Sequence, residues 1–334
     1  MFPWRIKPGR KRSLAMTVCA VAVCGAALLA QPPTTIRVNV NLVHAIATVK
    51  NLSGQLVGSL QKEDFEIYDN GSHQEIAVFE RTTEQPLSVA LLVDISGSTA
   101  KELKYEGESA SRFLRALLTE GNPDDVVSLY TFNYEVRQAK SFTHNYKSLE
   151  DRLKLLHGEA GTALYDAIYL AARDLESREG RKVIVVVTDG GDTFSKATLK
   201  QALEQAQLAD AVIYPIVVLP ITNDAGRNVG GENALKYIAD GTGGRCQYPA
   251  VGAELDRAFS DIVGELRTQY LLGFYPQNVP LTKSRFHKLE IRVKRPELRV
   301  SARNGYYGDF EGGSGAAGAR TSVTPERRSK PQER

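Results

Sequence analysis

Two strand-length runs of this chain are apolar without alternation and each stops at a carboxylate. Leu91-Leu92-Val93 closes on Asp94, and Val183-Ile184-Val185-Val186-Val187-Thr188 closes on Asp189. A run with no polar face is buried on both sides, which is the situation of a parallel sheet covered by helices. Strand and helix patterns alternate around the two runs as a doubly wound sheet requires. Helices are expected at 100–118, 146–156, 163–177, 196–209 and 252–267, and strands at 125–132, 182–189 and 211–219. A short antiparallel edge strand is expected at 135–142. In the last helix Leu255, Phe259, Ile262, Val263 and Leu266 keep helical spacing and read as core. The fold class is α/β.

The ends of the two runs carry the chemistry. Asp94-Ile95-Ser96-Gly97-Ser98-Thr99 sets one carboxylate and two hydroxyls at two-residue spacing. In open α/β sheets ligands bind beyond the carboxyl ends of the strands, and gathered oxygens suit a hard divalent cation. Gly161-Thr162 adds a threonine hydroxyl at an expected helix start, and Asp189 adds a second carboxylate. Residue types alone leave a plainer reading open, in which Ser98 or Thr99 caps the following helix.

Taken together, Asp-x-Ser-x-Ser, a distant Thr and a distant Asp resemble the metal-ion-dependent adhesion site (MIDAS) of the von Willebrand factor type A (VWA) family. The resemblance covers about residues 86 to 268. It implies a VWA (Rossmann-like) sheet with one Mg²⁺ or Mn²⁺ held by Asp94, Ser96, Ser98, Thr162 and Asp189. Mg²⁺ takes six oxygens and gives up its waters reluctantly, so these five side chains leave a position for an outside ligand. In the family that ligand is commonly a Glu or Asp carboxylate of a partner protein. Asp192 has no place in the pattern and reads as a loop or cap residue. In related adhesion domains the last helix shifts when the metal site changes ligands, which here concerns residues 252–275.

Of the 42 lysines and arginines, Arg5, Lys7, Arg10, Lys11 and Arg12 fall in the first thirty residues, which hold none of the 39 acids. The remainder is slightly acidic, and nothing argues for a nucleic-acid partner. The basic start, an apolar stretch from Leu14 to Ala30 and the small residues at its end read as an export signal or an uncleaved amino-terminal anchor. Past it only Cys246 remains, so no internal disulfide is expected, and Cys246 reads as a strand residue and not a nucleophile. His44, His73, His144, His157 and His287 show no ligand spacing.

Ile36 to Val43, Phe65-Glu66-Ile67-Tyr68 and Ile76-Ala77-Val78-Phe79 alternate with period two, and Asn70-Gly71 between the last two is a hairpin signal. Alternation returns in Gln269 to Tyr275, Phe286 to Val293 and Leu298 to Ala302. Each β segment is short for a core of its own, so the two are expected to close into one small β-sandwich with the α/β domain inserted between them. Extension of the central sheet by the last strands is the rival arrangement. Lys62-Glu63-Asp64-Phe65-Glu66-Ile67-Tyr68-Asp69-Asn70-Gly71, Tyr270-Leu271-Leu272-Gly273-Phe274-Tyr275-Pro276 and Asn304-Gly305-Tyr306-Tyr307 resemble a bacterial family of exported proteins with a VWA-related domain. The organisation expected is a signal peptide or anchor at 1–30, a β segment at 35–82, the VWA domain at 83–268, a second β segment at 269–310 and a disordered tail at 311–334. Lys288, Arg292, Lys294, Arg295, Arg299 and Arg303 form a basic stripe, either a solvated face or a site for an anionic glycan or lipid head group.

The function these readings imply is that of an exported protein, periplasmic, envelope-bound or secreted. It binds a partner protein through the metal and meets the membrane only through an uncleaved amino-terminal segment. It is not expected to be an enzyme. A structural envelope protein with a fold-stabilising metal is one rival, and a metal-dependent phosphohydrolase is another. Ser96 weighs against the latter, because it stands where haloacid-dehalogenase-type phosphatases place an acid.

Overall fold

The run that ends at Asp94 forms the strand Leu87–Asp94, and all of its residues are buried. The computed structural model describes residues 42–81, 85–97, 102–158, 160–218, 228–279 and 285–308. The signal or anchor, nearly all of the strand expected at 36–43, Ser98 and the tail lie outside the described residues. The first strands are β1 (Val43–Asn51), β2 (Phe65–Asp69), β3 (Ser72–Gln74), β4 (Ile76–Arg81) and β5 (Leu87–Asp94). Next come α1 (Leu103–Glu120), β6 (Val126–Phe132), β7 (Val136–Thr143), α2 (Tyr146–Leu153), α3 (Leu164–Glu176) and β8 (Arg181–Thr188). The chain continues through α4 (Leu199–Leu208), β9 (Ala211–Val217), α5 (Val229–Thr242) and α6 (Ala253–Leu266). It closes with β10 (Tyr270–Phe274), β11 (Phe286–Val293), β12 (Leu298–Ala302) and β13 (Gly305–Tyr307). Among the described residues no helix is long and apolar enough to cross a membrane.

The central sheet has the order β7-β6-β5-β8-β9. β5, β6, β8 and β9 are parallel, and β7 is the antiparallel edge strand. Alternate residues of β5 point to opposite faces. Val89, Leu91 and Val93 pack with Phe113, Leu117, Phe259 and Ile262, whereas Ala90 and Leu92 pack with Leu164, Ile168, Leu175 and Leu235. Helices therefore cover both faces, as an unbroken apolar run demands. The Phe113 and Phe259 rings stack with centroids 4.9 Å apart, tying α6 to α1.

The remaining strands form two antiparallel sheets, β12-β1-β10-β4 and β13-β11-β2-β3. β10, from the carboxy-terminal segment, lies between β1 and β4 of the amino-terminal one, and β11 pairs with β2. Their facing sides share one core of Ala45, Ala47, Val49, Phe65, Ile67, Tyr270, Leu272, Phe274, Leu289 and Ile291. Neither segment could bury these residues alone. A buried polar tie crosses the second sheet: the Tyr306 hydroxyl donates to Asp69 Oδ2 at 2.5 Å, and His287 Nδ1 lies 3.0 Å from Asp69 Oδ1.

Several elements differ from expectation, among them Ile76–Arg81, which pairs with β10 and leaves β3 as the hairpin partner of β2. β1 buries Val43, Ala45, Ala47 and Val49 at period two, but two of those four side chains are methyl groups and the alternation is faint. α5 contains Gly230, Gly231 and Gly241, which lower its helical signal, and it is held by burial of Leu235, Ile238 and Ala239. Cys246 lies just before a single parallel bridge from Gln247 to Ile216 and outside any strand, half-buried, with its thiol pushed up by burial. Three residues of the basic stripe are met by local partners. Arg292 pairs with Glu290 at 2.7 Å and lies over the Tyr68 ring, Arg295 pairs with Asp64 at 3.0 Å, and Arg303 bonds Asp210 and the His44 carbonyl.

Because β10 joins the two chain ends, damage to it is expected to spread. Phe274→Ala removes a fully buried ring and should destabilise the sandwich by about 3–5 kcal/mol in chemical denaturation. Hydrogen exchange should then lose protection in β1 and β4, far away in sequence, while β5 and β8 keep theirs. Protection lost only within β10 itself would contradict the shared core.

Candidate metal centre

Asp94 ends β5 with its side chain fully buried. Its Oδ1 accepts the Ser96 backbone N–H at 2.8 Å, and its Oδ2 accepts the hydroxyl of Thr188, the last residue of β8, at 2.6 Å. Thr188 Oγ1 in turn accepts the Gly190 N–H at 3.1 Å. The carboxylate is thus oriented by its own loop and by the end of the neighbouring strand. Burial pushes the Asp94 carboxyl up to about 7, against the hydrogen bonds from Thr188 and Ser96, and the charge of Asp189 adds to the rise. Ser96 is buried beside it.

Thr162 precedes α3 and is buried. Its N–H donates to Thr193 Oγ1 at 3.0 Å, and its carbonyl accepts the N–H groups of Thr193 and Phe194 at 2.8 and 3.0 Å. Both backbone polar groups are held by the loop after β8, and the hydroxyl is the polar group that remains. Further bonds lace the same two loops. Asp192 Oδ1 accepts the Tyr165 N–H at 3.2 Å and the Ser195 hydroxyl at 2.5 Å, so Asp192 caps the start of α3 from outside the helix. Asp166 returns the contact by accepting the N–H groups of Lys196 and Ala197.

Gly161 takes a left-handed φ of 84°, and a Cβ there would lie 3.0 Å from Tyr134 and Phe194. Those two aromatic rings stand edge to face, 6.5 Å apart, and are 51% and 60% exposed. An aromatic pair in solvent therefore flanks the Thr162 turn. On the other side, a Cβ on Gly231 would fall 1.4 Å from the Gly190 carbonyl oxygen. The absence of a side chain there lets the start of α5 rest on the loop that follows Asp189.

Asp189, half-buried, follows β8 directly. A third acid faces the same region from α1. Glu106 is 1% exposed, and neither of its carboxylate oxygens has a hydrogen-bond partner. Burial holds its carboxyl well above the ordinary range, and the charges of Asp94, Glu102 and Asp189 push it in the same direction.

The model therefore brings Asp94, Ser96, Thr162 and Asp189 to the carboxyl edge of the central sheet, and Ser98 lies outside the described residues. Among the described residues no three His, Cys, Asp or Glu side chains form a group that could hold a metal ion. The expected pattern leans on two acids and three hydroxyls, a donor set that suits an oxygen-seeking cation. The acid charges acting on Asp94 and Glu106 are the kind a cation would balance. Sequence reasoning missed Glu106, Thr188 and the lacing role of Asp166. Glu106 had a readable signal, since it interrupts the apolar stripe of Leu103, Ala110, Phe113 and Leu117 with an acid.

Comparison with known proteins places this geometry. The family model of the von Willebrand factor type A domain matches residues 88–251. Among solved structures, BatB from Bacteroides thetaiotaomicron is similar at 21% identity over 54% of this chain and 98% of its own, with a TM-score of 0.44. The vWF domain of the type V pili tip protein Mfa5 from Porphyromonas gingivalis is similar at 15% identity over 60% and 99%, with a TM-score of 0.47. A von Willebrand factor type A protein from Catenulispora acidiphila is similar at 11% identity over 81% and 74%, with a TM-score of 0.46. No curated protein matches the chain. The strand ends at Asp94 and Thr188 and the helices on both faces agree with the family match: the chain carries a von Willebrand factor type A domain at residues 88–251.

Proposed function

We propose that this protein docks a partner protein through a divalent cation, Mg²⁺ or Mn²⁺, held by Asp94, Ser96, Ser98, Thr162 and Asp189. The observation that carries the reading is the convergence of three separate loops on one sheet edge, each held by hydrogen bonds that leave its oxygen-bearing residue in place. Asp94 and Asp189 supply the charge, and Ser96 and Thr162 supply neutral hydroxyls. When bound, the cation offers a Lewis-acidic position that takes a carboxylate. The partner is accordingly a protein that presents a Glu or Asp.

The exposed Tyr134 and Phe194 rings beside Thr162 support a docking surface over a reaction centre. Aromatic side chains around a polar anchor are what protein interfaces use as hot spots. Ser96 stands where haloacid-dehalogenase-type phosphatases place an acid, which weighs against the phosphohydrolase reading. The amino-terminal thirty residues support export, so the partner is sought in the periplasm, the envelope or outside the cell.

Two measurements test the reading. Thr162→Ala should abolish Mg²⁺-dependent, EDTA-sensitive capture of a partner from envelope extract while leaving the melting temperature within about 2 °C of the parent. A metal that serves only the fold predicts the reverse: a lowered melting temperature with capture indifferent to EDTA. Replacing Tyr134 and Phe194 together with Ser should weaken partner binding about tenfold or more, chiefly through faster dissociation, with Mn²⁺ affinity unchanged. Partner binding equal to that of the parent would remove the aromatic pair from the interface.

A further inference from the structure

We propose that Glu106 is an additional carboxylate of this metal centre, holding the cation through one of its bound waters. The inference rests on the metal reading of the previous section and adds to it a residue from α1, outside the five of the adhesion-site pattern.

Glu106 occupies an inward position on α1, on the stripe shared by Leu103, Ala110, Phe113 and Leu117. An apolar side chain would serve the core there. The chain instead buries a carboxylate to 1% exposure and gives neither oxygen a hydrogen-bond partner. Buried acids without partners are strongly disfavoured, and those that persist are paired or coordinate metals. The charges that act on Glu106 are those of Asp94, Glu102 and Asp189, all acidic. Among the described residues no positive charge is recorded acting on Glu106, and a cation would supply one.

The three acids Asp94, Asp189 and Glu106 do not stand together at ligating distance. Direct coordination by all three is therefore not what is assigned. Mg²⁺ and Mn²⁺ commonly keep waters when bound by proteins, and a carboxylate one water away accepts a hydrogen bond from such a ligand and fixes its orientation. Glu106 is suited to that position because its oxygens have no other partner. It also adds negative charge that strengthens cation binding without filling the site left for the partner's carboxylate.

The test uses the full chain with Mn²⁺ alone as probe, its binding followed by calorimetry and by the resonance of free Mn²⁺. Glu106→Gln and Glu106→Met should each weaken Mn²⁺ binding about tenfold or more, the size seen when residues supporting metal ligands are replaced. The metal-free melting temperature should stay level or rise in both variants, because neither replacement buries an ionisable carboxyl beside Asp94 and Asp189. The rise on adding Mn²⁺ should shrink. Mn²⁺ affinity equal to the parent in both variants overturns the proposal, and so does loss of the metal-free fold in both, which would make Glu106 a fold residue. Thr162→Ala separates the two levels of the argument. If the parent binds Mn²⁺ and Thr162→Ala weakens it while the Glu106 variants do not, this inference alone falls. If the parent binds no Mn²⁺, the metal reading falls and takes the inference with it.

Discussion

The structure depends on the burial of β5 on both faces. A strand apolar on both sides must be covered by helices from two directions, and those helices need crossovers that begin and end at the sheet edges. The loops that leave the carboxyl edge then converge at one place whatever their sequence distance. Asp94, Thr162 and Asp189 come to one sheet edge for that reason, although the first and the last are 95 positions apart in sequence. Hydrogen bonding finishes what topology starts. Thr188 fixes Asp94 across the β5–β8 pair, and Thr193, Asp192 and Asp166 fasten the Thr162 turn to the loop after β8. Loops held by so many specific bonds can keep polar side chains in place without being buried themselves.

The same convergence explains the unusual charge at this edge. Asp94 is buried fully and Glu106 nearly so, and the charge of Asp189 raises the cost of ionising both. A fold selected for stability alone would replace Glu106 with an apolar side chain, since buried acids removed in favour of well-packed hydrophobic residues commonly leave a protein as stable or more so. Functional sites are where folds keep such costs. The position of that cost at the end of β5, within the first turn of α1, points to the strand edge as the working end of the domain.

How much of this could be read in the sequence varied with the kind of force involved. β5 and β8 were legible because an unbroken apolar run has few other uses, and the turn at Asn70-Gly71 was legible because Asn-Gly suits the positive φ that both take, although it joins β2 to β3 and the expected partner run Ile76–Arg81 pairs with β10 instead. β1 was not, because Ala45 and Ala47 carry its buried face with little hydrophobic contrast. α5 was not, because its glycines argue against a helix that tertiary packing nonetheless holds. At the strand edge, Asp94, Ser96, Thr162 and Asp189 were picked out by chemistry and order. The bonds that position them were not, because Asp166, Asp192 and Thr193 act across loops about 30 residues apart and look like ordinary turn residues when read singly. Glu106 lay between these cases: its place on an apolar stripe was visible, but an acid in a helix's first turn reads equally well as a favourable partner of the helix dipole.

The β-sandwich sits at the opposite end of the central sheet from the strand edge that carries Asp94, and α6 runs between the two. Just before α6, Gln247 pairs with Ile216 near the carboxyl end of β9. At the far end of the helix, the Leu266 carbonyl accepts from the guanidinium of Arg181, the first residue of β8. A helix of this length covers about 20 Å. Its carboxyl end is joined to the sandwich by two side-chain links, Glu265 to Lys50 and Gln269 to Thr48. Glu265, buried, bridges Lys50 of β1 at 2.5 Å and Arg245 at 2.7 Å. Gln269 donates to the Tyr214 hydroxyl of β9 at 2.9 Å and lies 3.3 Å from the Thr48 hydroxyl of β1. β10 then follows directly and runs through the middle of the first sandwich sheet. An axial shift of α6 cannot be absorbed by a slack connection, because the charged and amide links and the strand pairing all lie within a few residues of its end. It must either break the Glu265 and Gln269 contacts or carry β1 and β10 with it. The sandwich is therefore built as a continuation of the α/β domain, and whatever moves α6 at its Asp94 end acts on a core that the amino- and carboxy-terminal β segments share.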